Sequence, residues 1–326
     1  MKKQTYILEE ALELESGKTL DQVEICYHTK GTLNKERSNV IWVFHALTAN
    51  SNPYEWWPEM FNKNFPFPIQ DHFIICANIL GSCYGTTGPS NTEFPFFTIR
   101  DMISCHQALA DHLSIRQIKL GIAGSMGGYQ LLEWSISQRN LFENICLLAT
   151  SPKESTWGIA IHEAHRQALL NDPTFVDNSN GSNGLKTARG FGMILYRSYE
   201  SYQKLQSESN EETVTDFKAA SYIRYQSEKF EKRFSPFSYY HLLNAMDSHN
   251  VGRNKDSISE ALALIKAKTL VIGISSDQLC PVEEQKELAQ HIPNAQFKEI
   301  DSIYGHDGFL VEVGKVQELI LEYFSS

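Results

Sequence analysis

The sequence predicts an α/β fold, a mostly parallel central sheet flanked by helices and interrupted by an inserted helical lid. Three observations carry this. Short, continuous apolar runs recur along the chain, separated by helical patterns, as strands covered on both faces and joined by crossover helices should read. The pattern stops over residues 153–265, where no buried-strand run occurs, and then resumes. One apolar run also breaks at Gly124-Ser125-Met126-Gly127-Gly128 and passes at once into a helical pattern.

Residues 4–10 and 20–28 alternate in polarity and are expected to pair antiparallel at a sheet edge. The run 39–44 (NVIWVF) reads as a buried strand, followed by His45-Ala46-Leu47-Thr48. The aromatic stretch 54–67 is assigned to core or lid packing. Residues 73–77 (FIICA) form the next strand, followed by a loop of small residues, 81–90. A helix is expected from Thr98, because Met102, Ile103, His106, Leu109, Ala110 and Leu113 make one apolar stripe. Strand 118–123 and its helix follow, then a strand at 145–149. In the insertion, 171–184 is polar enough to be loop and 201–216 is acidic and solvated. The sheet resumes at 269–274, with a helix over 282–291, a strand at 296–300 and a last helix over 310–324. The division is a core of residues 1–152 and 266–326, with 153–265 as the lid.

The chain has 326 residues, 42% hydrophobic and 21% charged, an ordinary globular composition. A chain this long should bury roughly 75% of its extended surface. Its net charge of −10 argues against a nucleic-acid partner and against an anionic membrane surface, while leaving room for a local basic pocket. The six cysteines include no C-x-x-C pair, and Cys76, Cys105 and Cys146 lie in apolar runs as small hydrophobes. The first twenty residues hold no apolar core of a signal peptide, and no stretch is long enough to span a bilayer. A cytoplasmic location with reduced thiols is expected. The sequon Asn180-Gly181-Ser182 is then accidental.

The chemistry sits at the strand ends. Small-x-Ser-x-Gly between a strand and a helix is the core of a nucleophile elbow. The sharp turn strains the Ser125 backbone and demands small neighbours. It lifts Oγ out of the sheet and places the Met126 amide where an oxyanion would develop. The resumed strand ends in Ser275-Ser276-Asp277, and the last strand is followed by Gly305-His306-Asp307. The order Ser125, Asp277, His306 is that of α/β-hydrolases, nucleophile then acid then base. His306 would take the Ser125 proton and Asp277 would fix the imidazole tautomer. In isolation an Asp there is a helix cap and a His there a loop residue; order and placement favour the triad. The second oxyanion donor falls to the Leu47 amide, after an earlier strand. His162-Glu163-Ala164-His165 has its histidines three apart, not the four of a zinc helix, and no metal is assigned. Asp247 and His249 are read as structural.

These motifs together resemble the homoserine O-acetyltransferase family: His45-Ala46-Leu47-Thr48; the block from Cys76-Ala77-Asn78 to Thr87-Gly88-Pro89; Thr98-Ile99-Arg100-Asp101-Met102; Gly124-Ser125-Met126-Gly127-Gly128; and Gly305-His306-Asp307-Gly308-Phe309-Leu310. Segments of the insertion match as well, including Ala188-Arg189, Tyr196-Arg197-Ser198, Lys229-Phe230 and 247–253. The resemblance runs nearly end to end. It implies an α/β-hydrolase-fold acyltransferase of methionine biosynthesis that carries acetyl from acetyl-CoA to the homoserine hydroxyl by ping-pong through an acyl-serine. It makes Ser125 the acylated nucleophile, Arg189 the holder of the homoserine carboxylate and Asp307 the holder of its amino group. It implies no bound cofactor, acetyl-CoA as co-substrate, and a homodimer formed through lid helices. Departures from the family pattern are Ala123 before the elbow, Tyr129 where Met is common, Cys280 where Tyr is usual, and a shorter chain. The residues leave open a water-using serine esterase with the same triad, a homoserine O-succinyltransferase or serine O-acyltransferase, and a non-catalytic binding protein.

Overall fold

A computed structural model describes residues 1–63 and 65–324. The chain opens with β1 (Lys2–Ile7), a small hairpin of β2 (Leu12–Glu13) and β3 (Thr19–Leu20), and β4 (Glu24–Lys30). The alternating segments thus pair antiparallel at the edge, Lys2 opposite Thr29 and Ile7 opposite Glu24. The intervening hairpin was not legible, because two-residue strands leave no periodicity to read. Then come β5 (Val40–Phe44), the single-turn α1 (Pro53–Trp56), β6 (Phe73–Ala77) and α2 (Ile99–His112). The start of α2 is a capping box: the Thr98 hydroxyl accepts from Arg100 N and Asp101 N, and Thr98 N donates to Asp101 Oδ2 at 2.8 Å. Such caps stabilise a helix by about 1 kcal/mol.

β7 (Ile118–Gly124) runs into α3 (Met126–Ser137), and β8 (Phe142–Leu148) follows. β8 begins three residues before its apolar run, since Glu143 is exposed on it and Asn144 Nδ2 donates to Lys119 O at 2.9 Å on the neighbouring strand. Between β8 and the next strand the described structure is helical: α4 (Thr156–Leu170), α5 (Pro173–Val176), α6 (Ser182–Leu195), α7 (Tyr199–Gln206), α8 (Lys218–Glu231), α9 (Pro236–Asp247) and α10 (Ile258–Leu262). Residues 171–184 are therefore not all loop. Asp172 caps α5 by accepting from Thr174 N, and Gly181, at φ 100°, opens α6. The acidic stretch likewise carries most of α7. The fold closes with β9 (Lys268–Ile274), α11 (Val282–His291), β10 (Ala295–Ile300), a 3-10 turn at Gly305–Asp307, α12 (Gly308–Val311) and α13 (Val313–Phe324). The expected last helix is thus two helices, broken at Glu312 with ψ 40°.

The sheet order is β1-β4-β6-β5-β7-β8-β9-β10. Its first two junctions are antiparallel and the other five parallel. All five residues of β5 are buried, and they alternate between two cores. Trp42 and Phe44 face α2 and α3, where Trp134 meets Trp42 edge-on at 4.8 Å. Ile41 and Val43 face the other side, with Trp57, Phe61, Phe309 and Val316. The aromatics of 54–67 are in this second core, as expected of packing residues. Register aligns the C-terminal ends: Gly124 lies beside Leu148, Leu148 beside Ile272, and Ile274 beside Ile300. Loops leaving these strands therefore converge along one edge of the sheet.

Candidate active site

Ser125 sits between β7 and α3 with φ 55° and ψ −132°. This conformation costs a non-glycine residue about 1–3 kcal/mol, so its surroundings must impose it. They do so through three hydrogen bonds. Ser125 N donates to Leu148 O (3.0 Å), and Ser125 O accepts from Gly128 N (2.8 Å) and Thr150 Oγ1 (2.9 Å). The small neighbours are needed for close approach. A Cβ on Gly127 would lie 2.3 Å from Phe44 O, one on Gly124 2.4 Å from the Phe309 ring, and one on Gly128 2.3 Å from Thr150 Oγ1. The Gly127 contact presses the start of α3 against the end of β5. The Gly124 contact presses the loop bearing His306 against the elbow.

The structure brings the three candidate catalytic side chains together. Ser125 Oγ is 2.8 Å from His306 Nε2, and His306 Nδ1 is 2.7 Å from Asp277 Oδ2. Asp277 also behaves as a turn cap. Its other oxygen accepts from Leu279 N (2.8 Å) and Cys280 N (2.9 Å), so the capping role and the triad role coexist on its two oxygens. With two backbone N–H donors on Oδ1 and the imidazole on Oδ2, Asp277 is an acceptor in all three contacts. This assigns the proton on Nδ1 and leaves Nε2 free to accept from Ser125. Burial by itself would lower the His306 pKa, but the Asp277 charge and hydrogen bond outweigh it and hold it above 6.5.

The two proposed oxyanion donors come from the residue after Ser125 and from the loop after β5. Met126 is the first residue of α3, whose leading amides have no partner within the helix. Leu47 follows β5 and lines the same cavity as Ser125. Its loop is set by His45, a buried imidazole whose Nδ1 lies 2.9 Å from Ala46 O and whose Nε2 accepts from Ile79 N at 3.4 Å. Burial lowers the His45 pKa to about 4, so the ring is neutral and can serve as donor and acceptor at once.

The cavity holds about 560 Å³, and Arg189, Tyr196, His306 and Asp307 line it with Ser125 and Leu47. Arg189 projects from α6 and rests over Phe230 (4.7 Å) and Tyr196 (5.4 Å). Its Nε is buried and has no hydrogen-bond partner among the described residues. A buried donor left unmade is costly, and at a cavity wall it marks the place of a missing acceptor. Asp307 is 3.0 Å from Arg197 Nε. Burial pushes its pKa up against the opposing charges of Arg197, His306 and Arg189. The Arg197 pairing was not foreseen; its only signal was its place in the matching segment 196–198. One further residue behind the site, Glu154, escaped notice. Glu154 is buried with a raised pKa, and accepts from Tyr129 Oη at 3.1 Å. Tyr129 in turn stacks on His249 at 3.9 Å.

His162 and His165 also line the cavity, but His162 is tied to Asp247 at 2.6 Å, which Arg166 holds at 2.7 Å. Asp247 and His249 are thus placed among packing and pairing contacts. The one cluster of metal-ligand types among the described residues is Asp277, Cys280 and His306. Its Asp and His are already committed to each other in the triad.

Residues 39–313 match the family model described as alpha/beta hydrolase fold. A homoserine O-acetyltransferase of Cyclobacterium marinum is 40% identical, aligned over 99% of this chain and 95% of that protein. The crystal structure of homoserine o-acetyltransferase from Staphylococcus aureus superposes with a TM-score of 0.87 at 25% identity, covering 100% of this chain and 95% of that one. The crystal structure of esterase E22 superposes with a TM-score of 0.89 at 19% identity, covering 99% of each chain, a likeness of fold alone.

Proposed function

The chain belongs to the homoserine O-acetyltransferases, α/β-hydrolase-fold enzymes, and from that membership we propose that it moves an acetyl group from acetyl-CoA to the hydroxyl of L-homoserine, in the service of methionine biosynthesis, by a ping-pong route through acetyl-Ser125. His306 Nε2 takes the Ser125 proton as Oγ attacks the thioester carbonyl. The oxyanion is held by the Leu47 and Met126 amides. Losing one such donor costs about 3–4 kcal/mol of transition-state stabilisation. Collapse breaks the C–S bond, and the imidazolium returns its proton to the departing CoA thiolate. In the second half, His306 takes the proton of the homoserine hydroxyl, whose oxygen attacks the acetyl ester. The Ser125 oxygen leaves and recovers the proton. Asp277 keeps the imidazole in the tautomer both halves need. No bound cofactor takes part; acetyl-CoA is consumed as co-substrate.

One observation carries this reading. The nucleophile opens into the same cavity as Arg189, whose buried Nε has no acceptor among the described residues, and a carboxylate, Asp307. That pair suits an α-amino acid, with a fork for the carboxylate and a negative group for the ammonium. Water must be kept from the acyl-enzyme for transfer to prevail, and residues 153–265 would serve as the lid that does so. The test is CoA release from acetyl-CoA, followed by a thiol reagent with and without L-homoserine, alongside intact-mass analysis. Homoserine-dependent release, with an acetyl adduct on Ser125 when homoserine is withheld, is expected. Release indifferent to homoserine would mean a hydrolase. Succinyl-CoA as donor and serine as acceptor are run in parallel, and preference for either would redefine that substrate.

We also propose a homodimer formed through this lid, where Trp157, Phe191, Ile194, Tyr199 and Tyr225 expose large apolar surfaces. Light scattering showing a monomer at micromolar concentration would refute it. All six cysteines are free, which suits the reducing cytoplasm proposed as its location. No helix among the described residues is long and apolar enough to cross a membrane.

A further inference from the structure

Acetyl-CoA is strongly anionic, and this chain carries a net charge of −10, so the donor meets repulsion unless cations guard the way in. The cavity-facing surface of α8 and the turn that follows it supply them. Gln226, Lys229 and Phe230 of α8 and Arg233 of the turn after it line the cavity. Phe230 is buried and packs inward, while Lys229 and Arg233 are exposed at the rim. No ion pair within 4.0 Å among the described residues involves either cation.

Arg233 is not a loose surface side chain. Its Nη1 donates to Thr48 O and to Tyr84 Oη, both at 2.7 Å, and its guanidinium lies 5.1 Å from the centre of the Phe230 ring. These contacts tie the lid to the loop that follows β5 and to the loop that follows β6. Among the described residues the other guanidinium nitrogens have no acceptor, and the two bonds fix the direction of the charge. Glu55 is also at the rim, but its two oxygens already accept from Asn52 and Asn50, each at 2.9 Å. A fixed fork beside a mobile ammonium, with no acid spending either, suits a phosphate group: Arg by bidentate contact and Lys as a point charge.

We propose that Lys229 and Arg233 form the subsite for the phosphates of a CoA-type acyl donor, so that the pantetheine arm passes between α8 and the loop after β5 to reach Ser125. This rests on the acetyl-CoA reading given above. It makes the nucleotide end of the donor, remote from the reacting carbonyl, a source of binding energy.

The test compares acetyl-CoA with S-acetylpantetheine, which has the thioester but no nucleotide, using L-homoserine as acceptor. Lys229→Gln with Arg233→Gln should lower the ratio of kcat/KM for acetyl-CoA to that for S-acetylpantetheine about 100-fold, roughly tenfold per cation. Raised ionic strength should erode the same ratio in the unaltered protein, because exposed charges are screened. Lys232→Gln, on the same turn but outside the cavity lining, should leave the ratio unchanged. A fall of both substrates together would mean that the double variant has only disturbed the lid, and an unmoved ratio would mean that the phosphates bind elsewhere; either overturns the subsite. Equilibrium binding of adenosine 3′,5′-bisphosphate separates this from the reaction itself. Salt-sensitive binding that the double variant loses, in a protein whose thioester turnover ignores homoserine, would keep the subsite and discard the acceptor. No binding by the unaltered protein would discard the subsite.

Discussion

Asp277→Asn isolates what holds the base in its working form. Asp277 Oδ1 is fixed by two backbone donors, Leu279 N at 2.8 Å and Cys280 N at 2.9 Å. An asparagine must keep its carbonyl oxygen there, since an amide NH₂ cannot accept. The NH₂ then replaces Oδ2 at 2.7 Å from His306 Nδ1. Two donors cannot face each other at that distance, so Nδ1 must become the acceptor and the ring proton must move to Nε2. Nε2, 2.8 Å from Ser125 Oγ, is then a donor and cannot take the serine proton. The substitution is nearly isosteric, so the fold should survive while the base is held in the wrong tautomer. A loss on the order of 10⁴ in kcat/KM is expected, equivalent to about 5.5 kcal/mol. Stopped-flow measurement of the first CoA released reads the loss directly in the acetylation half-reaction. The pH profile gives an independent check. His306 works as a base only when neutral, and Asp277 holds its pKa above 6.5 against burial. In the unaltered protein kcat/KM should therefore rise through a midpoint above 6.5. Without the carboxylate only the weaker charges of Asp307 and Glu154 oppose burial, and the midpoint should fall. A variant that keeps a tenth of the activity, or whose midpoint does not move, would refute the tautomer argument.

Three further substitutions probe other parts of the site. Arg189→Met should raise KM for homoserine about 100-fold, the scale of two hydrogen bonds to a charged group, with the defect in deacetylation rather than in the acetylation burst; an equal loss in both halves would assign Arg189 to packing. Gly127→Ala places a methyl 2.3 Å from Phe44 O, backbone that cannot swing aside, so α3 must retreat from β5 and the two oxyanion amides separate. About 1–3 kcal/mol lost in urea unfolding and more than a hundredfold lost in kcat are expected, and an unchanged kcat would show that the amides are not both used. Glu284→Gln tests a half-buried acid on α11. Burial first, then the charges of Glu154, Asp277 and Glu287, raise its pKa to about 7 from 4.5. Between those values the folded chain holds a proton that the unfolded chain has released. The wild type is thus penalised progressively as pH rises from 4.5 to 7, and fully above 7. The Tm advantage of the variant should be small at pH 5 and larger at pH 8, whereas a gap independent of pH would count against the shift.

What the sequence made legible divides along a physical line. A strand buried on both faces must be apolar at every position, so 39–44 and 73–77 announce themselves, and β5 and β6 fall within those bounds. β8 announces itself late because Glu143 and Asn144 satisfy their polar groups at its open end, a contact written only in the partner strand. The triad was legible because each member follows a strand, and strand ends meet at one edge wherever a parallel sheet forms. Its supports are contacts between segments far apart in the chain. Arg197 reaches Asp307 from the end of α6, and Glu154 reaches Tyr129 from the loop after β8. No periodicity encodes such pairs; only the folded positions of the insertion do. Arg189 shows the same limit from the other side. As a residue it reads as a solvated helix arginine, and only the resemblance marks it. The fold gives the physical reason: burial against Phe230 and Tyr196 removes its water, so the cavity must supply what solvent no longer can. The elbow is where local and global information agree most closely. Gly124, Gly127 and Gly128 each leave room for a different partner, namely the loop of the base, the strand before the oxyanion loop, and Thr150. A glycine-rich turn could have been incidental, but close approaches at three small positions tie the strained serine to the loop of the base, to the strand before the oxyanion loop and to Thr150.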